Sequence, residues 1–276
     1  MNADDPQAYN SYLDKLSDVS GRKIDSLDSL LEAVDKRHAF FHENNCRLSD
    51  HGIEEVYAED YTEPEIKKAF KKIRDGEALN RSESIKLKSA LLYEFARMNF
   101  RRGWVQQFHI GPIRNNNSRM FESAGPNIGF DSIGGSELAK PLAKFMDRLD
   151  SDKELTKTVI YNINPRDNAV FATMAGNFPG KMQYGPAWWF LDHKNGIEQH
   201  INDLSNYGLL GRFIGMTTDS RSLLSFPRHE YFRRILCNII GGDMEKGEIP
   251  NDFNLTGAIV KNICFDNARN YFGLEK

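Results

Sequence analysis

The sequence of 276 residues is poor in cysteine, holding only Cys46, Cys237 and Cys264, with no C-x-x-C pair. An odd, scattered set builds neither a disulfide framework nor a zinc ribbon, so a reducing cytoplasm is the expected compartment. No stretch approaches the ~18 apolar residues of a membrane span, and the opening Met-Asn-Ala-Asp-Asp-Pro has no basic segment leading into an apolar run. Neither charge dominates: 36 Lys+Arg against 39 Asp+Glu leaves −3, which argues against nucleic acid or a membrane as partner. The dinucleotide pattern G-x-G-x-x-G, the P-loop and the nucleophile elbow G-x-S-x-G are also missing, so serine-hydrolase and phosphate-cradle chemistry have no support. With no internal repeat or Pro/Ser-rich linker, 1–276 reads as a single region.

What is present suffices for a large core. Hydrophobic residues make up 40% of the chain, with 18 Phe, 10 Tyr and 3 Trp, and the length fits one α/β barrel of about 250 residues. Two helices are expected first, from about Pro6 to Val19 and Ser26 to Asn45, the second with Leu27, Leu30, Leu31, Val34 and Phe41 at helical spacing. Cys46–Asp50 reads as a strand ending at His51-Gly52. Thr62-Glu-Pro-Glu65 is a capping box with proline in the first turn, and a long helical pattern covers Ser84–Arg101.

Strand and helix then alternate. Trp104–Ile110 is strand-like, Ser136 can cap a helix reaching Leu149, and Thr158–Ile163 is a strand followed by Asn164-Pro165 and a helix to Asn177. Lys181–Tyr184 and Phe213–Met216 are further strands around a helix near Ile197–Tyr207. Two last helices carry Tyr231, Ile235 and Ile239 beside Phe232, Leu236 and Ile240, then Leu255, Ile259 and Ile263. Parallel neighbours need crossover segments, normally helical, so the fold class is α/β with a parallel sheet.

The polar residues fall where such folds place their sites. Asp50 and His51 follow the first strand, His109 closes the second, Asn162 and Asn164 the third, Trp188 follows the fourth, and Asp219 with Arg221 the fifth. The C-terminal ends of parallel strands share one face, so these residues can converge. Each also has a plainer reading. Asn164, Asp50 and Asp219 suit turns and N-caps, His109 suits a core histidine bonded to backbone, and Trp188-Trp189-Phe190 suits a core plug. His38 and His42, at i and i+4, lack the Glu of H-E-x-x-H and read as a solvated helix face. The Gly125–Gly129 and Gly134–Ser136 stretches read as a mobile loop over the pocket rim, and the Lys67-Lys68…Lys71-Lys72 run as an exposed face.

Longer motifs carry a resemblance. Arg47–Gly52, Trp104–Gly111 running into Arg114-Asn-Asn-Asn117, Asn164-Pro-Arg-Asp-Asn168, Trp188-Trp-Phe190, Thr218-Asp-Ser-Arg-Ser222 and Pro227–Arg234 resemble the uronate (glucuronate) isomerase family of the amidohydrolase superfamily along essentially the whole chain. The resemblance implies a (β/α)8 barrel and aldose–ketose isomerisation of D-glucuronate to D-fructuronate and D-galacturonate to D-tagaturonate. It implies Asp219 as metal ligand and proton-transfer group, Arg114 and Arg221 as binders of the substrate's carboxylate and oxygens, and His109, Asp50 and Trp188 as the rest of the pocket. It further implies one divalent metal such as zinc, no redox cofactor, a hexuronate substrate and a homo-oligomer.

Such a reaction moves a proton from the carbon beside a carbonyl through an enediol, which calls for a carboxylate base and donors for the oxyanion. A fixed carboxylate on the sugar suits a guanidinium fork. The family's His-x-His pair occurs nowhere among these residues, and five strand–helix units are counted where a closed barrel needs eight. The expectation is therefore a partial TIM barrel, about the last five βα units with extra helices. The alternative function is a truncated, catalytically incompetent fragment that binds acidic sugars or a complementary chain. A metal-dependent hydrolase of C–N bonds would call for more histidines after the middle strands.

Overall fold

The computed structural model describes residues 3–217, 219–220 and 222–274. The chain folds as two compact units: Met1–Ser49, Val56–Trp104 and Lys140–Thr156 form one, and Asp50–Glu55, Val105–Ala139 and Lys157–Lys276 the other.

The first unit is helical. Helix α1 (Pro6–Ser20) starts at Asp5, whose carboxylate accepts the Ala8 N–H, and stops at Gly21 in the left-handed conformation. Helix α2 (Leu27–Glu43) is capped by Ser26. Strand β1 (Leu48–Ile53) leaves this unit at Asp50. In α3 (Glu63–Arg74) the expected capping box forms, with the Thr62 N–H donating to Glu65 Oε2 at 2.8 Å. Helix α4 (Arg81–Arg101) begins earlier than hydrophobic spacing suggests because Asn80 and Glu83 form a reciprocal cap, each bond 2.9 Å. Leu13, Leu30, Phe70, Ile73 and Leu87 are among the side chains that close one core between these helices.

In this unit His38 and His42 depart from the solvated face expected of them. The His38 ring stacks on Trp104 at 3.8 Å and shares a 3.0 Å hydrogen bond with Asn99, while His42 Nδ1 accepts the Trp104 indole N–H at 3.0 Å. They are packing residues around a buried tryptophan. The lysine run does lie on an exposed face, where Lys67 pairs with Asp28 and Glu63 and Lys71 with Asp75.

The second unit is the α/β one. Its sheet has the order β1-β2-β5-β6, where β2 is Val105–Ile110, β5 Thr158–Asn162 and β6 Met182–Tyr184. Both β2–β5 and β5–β6 are parallel, with Phe108 opposite Ile160, His109 opposite Tyr161 and Ile160 opposite Tyr184. All five residues of β5 are buried, as in a strand covered on both faces. The segment after β2 forms a two-residue antiparallel pair, β3 (Pro112–Ile113) with β4 (Ser132–Ile133), around the short helix α5 (Ser118–Ala124), where sequence reading sees only a loop. Helix α6 (Ala139–Ser151) starts three residues after Ser136 and belongs, from Lys140 on, to the first unit.

After β5, a 3-10 turn at Pro165–Asp167 precedes α7 (Asn168–Asn177), and α8 (Lys194–Tyr207) follows β6. The C-terminal part is α9 (Pro227–Lys246), α10 (Phe253–Lys261), a π turn at Asn262–Asp266 and α11 (Asn267–Phe272). Phe232, Ile235 and Leu236 are buried as their spacing predicts, whereas Leu255 is half exposed.

Two strand expectations are corrected. Asp50 and His51 lie inside β1, which runs on to Ile53, instead of after its end. Phe213–Met216 is buried but forms no strand among the described residues. The Phe213 carbonyl is taken at 2.9 Å by the Asn267 side chain, and Gly215 has φ +72, where a Cβ would lie 2.0 Å from the Ile263 carbonyl oxygen. A side-chain partner and a left-handed glycine replace the ladder.

Candidate active site

His109 organises the polar end of the sheet. The parallel register sets it beside Tyr161, and the two rings stack at 4.3 Å with an interplanar angle of 7°. Trp188 meets the same imidazole edge-on at 4.5 Å. Its Nδ1 lies 2.8 Å from Asp50 Oδ1 on β1. An ionised carboxylate only accepts, so the proton of this bond sits on Nδ1 and the neutral ring keeps Nε2 as an acceptor. The partner is thus a side-chain carboxylate and not the backbone expected of a plain core histidine.

Tyr161 supports this arrangement from below. Its hydroxyl donates to Gln107 Oε1 at 2.6 Å, and burial pushes its ionisation far above the usual phenol range, with the charges of Asp50 and Asp219 adding in the same direction.

A cavity of about 340 Å³ adjoins this cluster, lined by Arg114, Asp131, Trp188, Trp189, Asp219 and Arg228 together with Asn127 and Gly129. Trp188 is the shared wall, since it borders the cavity and touches His109. The Arg114 guanidinium lies 5.2 Å above the Trp189 ring, and its Nη1 is 3.7 Å from the buried Asp131 carboxylate. The Arg114 backbone N–H donates to Glu54 Oε1, and that of Asn115 to Asp131 Oδ1. Asn115, Trp189 and Asp219 have φ of 54°, 51° and 45°, a conformation that costs a non-glycine residue roughly 1 kcal/mol or more. Of these, Trp189 and Asp219 line the cavity, and backbone in this conformation persists only where its surroundings hold it.

Of the residues singled out from sequence, Asp50, His109 and Trp188 come together, and Arg114, Trp188 and Asp219 line the cavity. Arg221 and Thr218 lie outside the described residues. Asn162 turns inward instead, donating to Asn168 Oδ1, which also accepts from Tyr184. Asn164 keeps its capping role, its side chain accepting from the Arg166 N–H. His51 packs against Phe108 at 5.5 Å, and burial lowers its affinity for a proton. The Gly125–Gly129 stretch does reach the cavity, through Asn127 and Gly129.

Sequence reasoning missed Tyr161, Asp131, Trp189 and Arg228. The register of two parallel strands would have placed Tyr161 beside His109, and Arg228 stands inside a recognised motif without a role. As for a metal, among the described residues no three His, Cys, Asp or Glu side chains come together. The described lining offers two carboxylates, Asp131 and Asp219, beside Arg114 and Arg228, short of the three or four protein ligands of a zinc site, so these residues alone do not fit a resident ion.

An α/β unit with a parallel sheet and a polar cluster at one end of its strands is the class these observations define. The family model for glucuronate isomerase matches residues 2–272, and the chain belongs to that family. It is 54% identical over 277 residues to a uronate isomerase of Cellvibrio japonicus, covering 99% of this chain and 59% of that protein. A uronate isomerase of Phocaeicola vulgatus is also 54% identical, over 97% of this chain and 58% of the relative. The chain thus spans less than two thirds of the length of these curated relatives. Among solved structures, a uronate isomerase of Thermotoga maritima superposes with a TM-score of 0.92 at 33% identity, over 98% of this chain and 59% of that one. A glucuronate isomerase of Caulobacter crescentus, 23% identical with a TM-score of 0.88 over 99% of this chain and 57% of that one, shares the fold.

Proposed function

We propose that this chain carries the site of a uronate isomerase and interconverts D-glucuronate with D-fructuronate, and D-galacturonate with D-tagaturonate, by proton transfer between C2 and C1. On this reading residues 1–276 correspond to one region of a (β/α)8 barrel, about its last five βα units with extra helices. The observation that carries it is a carboxylate and an arginine, Asp219 and Arg114, lining one cavity whose Trp188 wall touches the Asp50-bound His109.

The chemistry follows from those groups. In the open-chain sugar, the Asp219 carboxylate removes the C2 proton, the C2–H electron pair forms the C1–C2 double bond, and the carbonyl pair moves to O1. His109 Nε2, its ring fixed by Asp50, shuttles a proton between O2 and O1. Asp219 then returns its proton to C1 as the carbonyl forms at C2. Atoms and electrons balance without an oxidant or reductant, as acid–base catalysis requires. Arg114, steadied by Trp189 and Asp131, holds the fixed carboxylate or a developing oxyanion, and Arg221 is assigned the same task. Trp188 closes the pocket with an apolar wall.

The test is a coupled assay for fructuronate on the purified 276-residue chain. Turnover of glucuronate that falls by about a hundredfold or more in Asp219→Asn supports the reading. Binding of glucuronate without any turnover would overturn it and leave a chain that only binds acidic sugars.

A further inference from the structure

The stretch between β3 and β4 leaves the sheet and returns through a tight neck. There the Asn115 N–H donates to Asp131 Oδ1 at 2.8 Å, the Asn116 N–H to the Phe130 carbonyl at 2.7 Å, and the Asn116 side chain to Ser132 Oγ at 2.6 Å. Below them Ile113 pairs with Ser132 in the antiparallel ladder. The Gly134 N–H donates to the Gly111 carbonyl at 3.0 Å, and a Cβ on Gly134 would lie 2.1 Å from that oxygen, so the base of the neck closes backbone on backbone. Above the neck the chain is held far less. Every residue from 116 to 129 is exposed or half-buried, and helix α5 has no buried residue. Gly125, Asn127 and Gly129 have φ of 83°, 62° and 98°, and a Cβ on either glycine would meet nothing within 4 Å, so these glycines serve backbone conformation and not close packing. Asn127 and Gly129 nonetheless border the cavity lined by Arg114 and Asp219.

A loop with a fixed neck and an unpacked tip can open and close at small cost in folding energy, which is how lids over active sites are built. We propose that residues 117–129 are the lid of this site, closing over a bound sugar acid and turning on the neck between Asn115 and Asp131. The inference rests on reading the cavity as a hexuronate site. Closure has a use there, because an enediol intermediate loses its proton to water unless the cavity is covered. It would also withdraw Ile128, 42% exposed between the two cavity-lining residues, from water. The competing role is a plain surface excursion that no ligand moves.

Hydrogen exchange of the intact chain, read by mass spectrometry with and without D-gluconate, a sugar acid that lacks the reacting carbonyl, reports closure directly. Amides of residues 118–129 are expected to exchange about tenfold more slowly in saturating gluconate and at an unchanged rate in neutral D-glucose, while those of α3 stay the same in both. A variant in which Gly-Ser-Gly replaces residues 117–129 keeps the neck and loses no buried side chain. Its melting temperature is expected within about 2 °C of the parent, with kcat/KM for glucuronate lower by about tenfold or more. If that variant does not fold, the exchange experiment decides. No gluconate protection of the loop, equal protection by gluconate and glucose, or parental kcat/KM in the shortened chain would each overturn the inference. Gluconate-specific protection in a chain that never turns over glucuronate would keep the lid and sink the isomerase reading, whereas turnover without protection would keep that reading and sink the lid.

Discussion

The imidazole of His109 is held from two sides by Asp50 and Tyr161: a 2.8 Å hydrogen bond fixes Nδ1, and a ring stacked at 4.3 Å fixes the plane. A histidine restrained in both tautomer and plane delivers or accepts a proton at one defined point, Nε2. Asp50→Asn keeps the size but replaces a charged acceptor with an amide. Its kcat for glucuronate is expected to fall by about 10²-fold, in the range general acid–base groups contribute, while Asp50 itself, half exposed, changes the melting temperature little. Steady-state kinetics beside a thermal melt check both halves.

Gly185 guards that stack from the other side. A Cβ there would come within 2.9 Å of the Tyr161 ring and 2.8 Å of Val159 Cγ1, both buried in β5. Gly185→Ala is therefore expected to cost about 1–3 kcal/mol of stability through overpacking and to lower activity further by shifting Tyr161 under His109. Denaturant unfolding and kcat measure the two effects. An alanine variant as stable and active as the parent would show that the ring yields freely.

His200 on α8 gives the pH dependence of stability. It is 1% exposed, bonds the Gly185 carbonyl at 2.6 Å, and burial lowers its pKa to about 4. The unfolded chain, titrating near 6.5, binds the proton more readily, so stability contributed by neutral His200 is full above that value. It is lost as pH falls from 6.5 toward 4, by up to roughly 3 kcal/mol. His38 and His51, lowered by the same cause, act in the same direction. His200→Gln, which retains an N–H donor for Gly185, should flatten this part of the curve in urea titrations at pH 4.5, 5.5 and 7.

How much of this was legible in the sequence depends on how local each signal is. The capping box at Thr62 and Glu65, the proline after Asn164 and the apolar spacing of α9 are written within a few residues, and the structure follows them. The positions of His109 and Trp188 beside a strand's end were legible for the same reason. The failures have distant partners. His38 and His42 pack on Trp104, more than sixty residues on, and the Phe213 carbonyl is claimed by Asn267, which no periodicity announces. Asp192 and Arg228 are separated by 36 positions, so neither gives a spacing pattern, and only the fold pairs them.

Arg114 can be tested apart from the chemistry. Its guanidinium stacks over Trp189 and faces Asp131, so Arg114→Lys keeps the charge but loses the fork and the stack. Its KM for glucuronate is expected to rise about tenfold with kcat changed far less, the pattern of a residue that holds substrate and reacting complex alike. A fall in kcat at constant KM would assign Arg114 to the developing oxyanion instead.

On the proposed mechanism Asp219 moves a proton between C2 and C1. Glucuronate incubated with the chain in D2O and followed by proton NMR tests it directly. Fructuronate signals should grow in, with deuterium appearing at C2 of the glucuronate or C1 of the product, and Asp219→Asn should abolish both product and exchange. Isomerisation or C2 exchange at the parent rate in Asp219→Asn would contradict the account.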